Sequence, residues 1–141
     1  MGIRAAEGES GQRLDSHAGK ILRFRDDGTV PSDKPFVGQE GHLPEVWSYG
    51  HRNMVGPTIH PETGELWESE NGPCGGDEIN IIRKGRNYVW PLVTYGRNYD
   101  GSPVSDRPYR ERLEEPHLVW IPSIAPAGLT FYDGRPLENW R

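Results

Sequence analysis

Residues 65–83 read ELWESENGPCGGDEINIIR, and this stretch decides the fold. Glu65 to Glu70 alternates apolar and polar side chains, the period of a half-buried strand. Asp77 to Arg83 is a second strand, with Ile79 and Ile81 on one face and Ile82 on the other. Asn71 to Gly76 between them is a glycine-rich loop. Upstream, Pro61-Glu62-Thr63-Gly64 forms a turn, and Pro57 demotes Val55 to His60 to an edge or irregular segment. Glu45 to Tyr49 and Gly19 to Arg25 read as short strands, the latter closed by the tight turn Asp26-Asp27-Gly28. Val30 to Gly41 is a Pro/Gly-rich loop. Downstream, Lys84 to Asn87 turns the chain, Tyr88 to Val93 reads as a strand, and residues 95–116 read as a long surface loop. His117 to Trp120 and Gly128 to Tyr132 are the last strand candidates.

No segment shows the 3.6-residue period of a helix of ordinary length, so the chain reads as all-β. Short strands separated by turns suit a sandwich, a barrel or a propeller. At roughly 40–50 residues per blade, 141 residues supply about two to three blades, whereas propellers close with four to eight. Gly (18) and Pro (13) make up about a fifth of the chain, above the usual share. Five Trp and six Tyr argue against disorder, because disordered chains are poor in aromatics. The net charge of -5 and pI near 5.5 argue against nucleic acid or an anionic membrane surface as partner. No apolar run is long enough to predict a membrane span, and Met1 to Gly11 has no signal-peptide core. The single cysteine, Cys74, leaves the redox compartment open.

Four segments offer chemistry. Gly50-His51-Arg52-Asn53 follows a strand, and its Arg–Asn pair presents several donors suited to planar carboxylates. A solvated turn is the plainer reading of these four residues alone. In Glu70 to Glu78, carboxylates flank the glycine-rich loop; loop carbonyls with carboxylates suit Ca²⁺, and a β-turn with an acidic rim is the alternative. The aromatics of Asn87-Tyr88-Val89-Trp90-Pro91 either pack or line a flat cofactor's pocket. Two prolines around Ser123, in Trp120 to Pro126, hold an irregular loop that exposes its hydroxyl. There is no H-E-x-x-H, paired C-x-x-C, P-loop, G-x-G-x-x-G or G-x-S-x-G, and the five histidines are scattered, each read as a surface or packing residue.

In their order and spacing these segments resemble the glucose/sorbosone dehydrogenase family, especially its aldose sugar dehydrogenase branch. The resemblance runs from about Leu14 to Arg141, after a polar N-terminal segment over residues 1–13. It is carried by SHAGKILR (16–23), DGTVP (27–31), EVWSYGHRN (45–53), Gly72-Pro73, GGDEIN (75–80), Asn87-Tyr88, Trp90-Pro91 and PSIAP (122–126). It implies part of a six-bladed β-propeller that binds pyrroloquinoline quinone (PQQ), a flat tricarboxylate o-quinone, together with calcium. The implied PQQ contacts are Arg52, Asn53 and Ser123. The implied calcium set is Gly72 and Pro73 through their carbonyls, with Glu78 and Tyr88, which are therefore expected close together. The implied reaction oxidises the anomeric carbon of an aldose to a lactone, with an external electron acceptor and, for the family, a periplasmic location. The family's catalytic His is expected in a region before Met1, and further PQQ-binding Lys and Arg after Arg141, so this chain alone is expected to be inactive. An open stack of about three blades leaves sheet edges and inter-blade surfaces exposed, so it is also expected to be poorly stable.

Four positions, in three places, depart from the family pattern. Met54-Val55-Gly56 stands where Pro-Gln-Gly is usual, Cys74 where Arg is common, and Val89 where Gly is usual. Two other readings remain open on the sequence: a non-enzymatic propeller binding module, and a calcium-dependent lactone-hydrolysing propeller.

Overall fold

The computed structural model describes residues 5–105 and 113–132. Residues 106–112 of the expected surface loop and the Asn139–Arg141 end lie outside the described residues. A 3-10 turn over Ala5–Gly11 leads into two antiparallel sheets. The first pairs β1 (Lys20–Leu22) with β2 (Val46–Tyr49), with a register shift between Ile21 and Leu22. The second has four strands in the order β3-β4-β5-β6: Thr58–Ile59, Leu66–Glu70, Asp77–Ile82 and Leu118–Trp120. Every pairing within it is antiparallel between neighbours in sequence, the plan of an up-and-down sheet. Thus the alternation read at 65–70 and 77–83 marks the two central strands.

The register of β4 against β5 sorts their side chains onto two unlike faces. Leu66, Glu68 and Glu70 stand opposite Ile82, Asn80 and Glu78 on one face. Trp67 and Ser69 stand opposite Ile81 and Ile79 on the other. The core between the sheets is Val46, Ile82, Tyr88, Val89, Trp90 and Val93. A buried lysine ties the N-terminal turn to this core: Lys20 Nζ donates to the carbonyls of Ser10, Gly11 and Ala18 at 2.7–2.9 Å. Burial drives its pKa down to about 8.

Two expected strands do not form. Tyr88 to Val93 starts as an extension beside β2, with Tyr88 N–H donating to Tyr49 O and Trp90 N–H to Gly50 O. Val89 then takes φ 70°, outside strand geometry, and Leu92 and Val93 close a turn back onto its carbonyl. Gly128 to Tyr132 packs without joining a ladder. It runs close enough to Gly56 that a Cβ there would lie 2.5 Å from Leu129 N, and Phe131 meets Trp67 edge-on. Apolar content brought Tyr88 to Val93 inside, with a backbone that turns at Val89, whereas Gly128 to Tyr132 stays half-buried to exposed.

Candidate functional site

The segment after β2 builds the site. Gly50 has φ +77°, and a side chain there would strike Asn87 and the Val89 amide, so only glycine lets the chain turn. The turn lays His51 and Arg52 over the polar face of β4–β5. His51 is fully buried and stacks on the Tyr88 ring at 4.6 Å. Its Nε2 meets Ser48 Oγ at 2.9 Å; its Nδ1 faces Glu70 Oε2 at 3.2 Å and Glu68 Oε1 at 3.8 Å. Asn80 Nδ2 donates to Glu68 Oε1 at 3.1 Å and reaches Glu78 Oε2 at 3.4 Å.

This arrangement concentrates acid in a dry place. Burial, then the Glu70 charge, pushes Glu68 up to about 8. Burial also raises Glu70, which the Arg52 backbone N–H partly restrains. Glu78 is raised by burial and by its neighbours Glu70 and Glu68. Burial lowers His51 to about 4, against the pull of Glu68. Near neutral pH the imidazole is therefore uncharged, and no cation of the cluster balances its carboxyls.

Arg52 lies beside the cluster, buried, with its guanidinium carbon 5.3 Å from the centre of the Trp90 ring. Nη1 donates to the carbonyls of Asn71 (2.6 Å) and Gly72 (2.7 Å). Its Nε is buried without a partner, as are Asn71 Oδ1 and Trp90 Nε1. Asn53 is half-buried, and its carbonyl accepts from the Asn71 amide. Gly72 has no room for a Cβ, which would run into the carbonyls of Gly75 and Gly76.

Asp77 joins two loops. Oδ1 accepts from the Gly72 amide at 2.9 Å, and Oδ2 from the amides of Ile124 and Ala125 at 2.8 and 2.7 Å. The Ser123 hydroxyl lies beside the same carboxylate and helps to hold its pKa down. Burial alone would raise this group; the Ser123 hydroxyl and the three amides more than offset it, and the net pKa is lowered.

The residues expected from the sequence are brought together only in part. Arg52 touches Gly72, and Gly72 and Ser123 meet through Asp77. Glu78 faces Asn80, while the Tyr88 hydroxyl donates to Ile81 O at 2.6 Å and accepts from the Arg83 amide at 2.8 Å, toward the other end of β5. Met54 and Val55 bridge to Glu70 and Ser69, extending the edge of β4. Cys74 is exposed, and its backbone pairs with Arg97. His51, Glu68, Asp77 and Asn80 were not singled out from sequence. For Glu68 and Asn80 part of the signal lies in ELWESE and DEIN, where Glu68 and Glu70, and Glu78 and Asn80, recur at every second residue and pairing stacks them on one face; His51 and Asp77 carry no such signal.

The all-β architecture corresponds to part of the β-propeller found in sugar dehydrogenases. The family model for Glucose / Sorbosone dehydrogenase matches residues 1–141, and the chain belongs to that family. It is 41% identical over 143 residues to aldose sugar dehydrogenase YliI of Escherichia coli, covering 96% of this chain and 38% of the relative. A glucose dehydrogenase crystal structure superposes with a TM-score of 0.93 at 45% identity, over 96% of this chain and 40% of that one. The PQQ-bound aldose sugar dehydrogenase of Streptomyces coelicolor matches with a TM-score of 0.61 at 32% identity, over 80% and 29% of the two chains. The chain therefore spans well under half the length of these relatives.

Proposed function

We propose that this chain is part of a PQQ-dependent dehydrogenase that oxidises the anomeric carbon of an aldose to a lactone and passes electrons to an external acceptor. The observation that carries the reading is Arg52: a buried guanidinium against an indole face, with an N–H left unpartnered. A buried, unsatisfied donor costs about 1–3 kcal/mol, so such a group fits an anionic, planar ligand that would accept from it. Arg52, Asn53 and Ser123 would hold PQQ, which when bound supplies the hydride acceptor that amino acids lack. Asp77 would keep the two ligand-bearing loops in register, and Trp90 would exclude water from one side of Arg52. The solved relative with PQQ bound supports the same cofactor here.

Calcium is the less direct part of this reading. The Gly72 carbonyl already accepts from Arg52, and the Tyr88 hydroxyl is committed at both its donor and acceptor sides. The second lone pair of the Gly72 carbonyl could still face Ca²⁺ beside Pro73 and Glu78, whereas the Tyr88 hydroxyl would have to give up its bonds to Ile81 O or the Arg83 amide to join them. A periplasmic location and inactivity of the 141-residue chain on its own belong to the same proposal.

The test is a PQQ titration of the protein at the length of its relatives, with aldose-dependent reduction of an electron-acceptor dye as readout. Arg52→Lys is expected to weaken PQQ binding about tenfold or more, because lysine keeps the charge but loses the rigid fork. Lys84→Arg, in an exposed turn, is expected to change little. Equal behaviour of the two variants would remove Arg52 from the cofactor site, and no dye reduction with any aldose would remove the reaction.

A further inference from the structure

The buried cluster beside Arg52 asks for something the sugar-dehydrogenase reading does not supply. His51 Nδ1, one oxygen of Glu68 and one of Glu70 lie within 4.8 Å of one another, all three residues buried. Glu68 is wholly buried, yet its Oε2 has no hydrogen-bond partner. A desolvated carboxylate oxygen with nothing to accept from is costly, and the donor that Glu68 has, Asn80 Nδ2, goes to its other oxygen, Oε1.

We propose that His51, Glu68 and Glu70 form a binding site for a first-row divalent metal ion, held by His51 Nδ1 and one oxygen from each carboxylate. This does not rest on the PQQ reading and takes no ligand from the residues assigned above to calcium.

Three features argue for it. The first is charge: one divalent cation and two carboxylates sum to zero, which removes the penalty of burying like charges together. The second is support around the ligands, where metal-bound histidines usually have a partner on the other ring nitrogen. When Nε2–H donates to Ser48 Oγ, Nδ1 presents its lone pair to the carboxylates, and the Tyr88 ring fixes the imidazole plane. Asn80 Nδ2 orients Glu68 Oε1 at 3.1 Å. The third is donor type. One imidazole nitrogen with two carboxylates suits Zn²⁺, Mn²⁺ or Co²⁺, whereas Ca²⁺ wants six to eight oxygens. Nδ1 stands 3.2 Å from Glu70 Oε2 and 3.8 Å from Glu68 Oε1, separations open to ligands about 2.0–2.2 Å from a common centre, and rotation of the Glu68 carboxylate would bring the unpartnered Oε2 to the same centre. The competing arrangement is a proton shared between the two carboxyls, with no metal.

The experiment strips the protein, taken at the length of its relatives, with a chelator and titrates it with Zn²⁺, Co²⁺ and Ca²⁺ in turn. One equivalent of Zn²⁺ is expected to bind at micromolar concentration or below, undisplaced by a large excess of Ca²⁺. The Co²⁺ form is expected to show visible d–d bands and one hyperfine-shifted, exchangeable proton from Nε2–H of a ligating histidine. Glu68→Gln and His51→Gln are each expected to weaken Zn²⁺ binding about tenfold or more, whereas Glu62→Gln, on the exposed turn, leaves it unchanged. No saturable uptake overturns the proposal and leaves the shared proton. Uptake unchanged in both ligand variants, or equal competition by Ca²⁺, overturns it too. Should the ligand variants fail to fold, the histidine proton in the Co²⁺ form of the unsubstituted chain decides alone: its absence sinks the site. PQQ binding can fail without affecting any of these readouts.

Discussion

Asp77 and Glu68 are both buried carboxylates in adjacent strands of one sheet, and they sit in opposite electrostatic worlds. Asp77 shares its face of β5 with Ile79 and Ile81, accepts from three backbone amides and lies beside a serine hydroxyl. Glu68 shares its face of β4 with Glu70, opposite Asn80 and Glu78, and receives one side-chain amide at 3.1 Å. Burial pushes both upward. Donors more than compensate for Asp77, whereas burial and a second carboxyl drive Glu68 to about 8. Burial alone therefore does not decide whether a charge stabilises; the count of N–H and O–H groups aimed at it does.

Removing the two charges should have opposite signs. Asp77→Ala is expected to show the largest effect, a loss of about 3 kcal/mol, because three amides lose a charged acceptor. Urea unfolding measures it; a loss under about 1 kcal/mol would mean that water replaces the carboxylate freely. Asp77, with its pKa held below the ordinary value of 3.8, contributes stability that is present above that pH and fades on acidification.

Glu68→Gln should come next, in the reverse direction and only in the metal-free chain. Its folded pKa of about 8 exceeds the ordinary 4.5, so the folded state holds a proton that the unfolded chain releases. The associated stability is full below pH 4.5 and drains away as pH rises toward about 8. Between about pH 6.5 and 8, where His51 is neutral folded or unfolded, the native chain should lose melting temperature. Glu68→Gln should lose clearly less, ending several degrees higher at about pH 8. Parallel melting curves would put the unfavourable charge on Glu70 or Glu78 instead.

The smallest effect sharpens the comparison by separating backbone strain from burial. Val89 and Val93 are equally buried, at 7% exposure each, but only Val89 has a positive φ. Left-handed backbone costs a non-glycine residue about 1–2 kcal/mol, which glycine does not incur. Val93→Gly is therefore expected to destabilise by about 1 kcal/mol more than Val89→Gly, read from paired melts. The same strain gives a physical reason for the family pattern, which has glycine at the position that Val89 occupies.

The sequence is legible along the same division. Strands β4 and β5 are readable because alternation is local, and Gly64 and Gly85 mark turns at positive φ. Tyr88 to Val93 misleads because an apolar run carries no record of one residue's φ. Gly128 to Tyr132 misleads because packing against Trp67 and Gly56 is tertiary. Arg52, Gly72 and Ser123 come from family resemblance rather than from periodicity. His51, Glu68 and Asn80 stay hidden because their meeting depends on strand register and on the turn at Gly50, neither of which a linear pattern states.

The bonds that Asp77 makes across 47 and 48 residues of chain have a temporal consequence. Gly72 donates to one oxygen of the Asp77 carboxylate and Ile124 and Ala125 to the other, so rotation of this one side chain frees all three together. The two loops then share an opening rate, and their amides should trade hydrogen for deuterium in step. A ligand that grips one loop slows the breathing of the other without touching it.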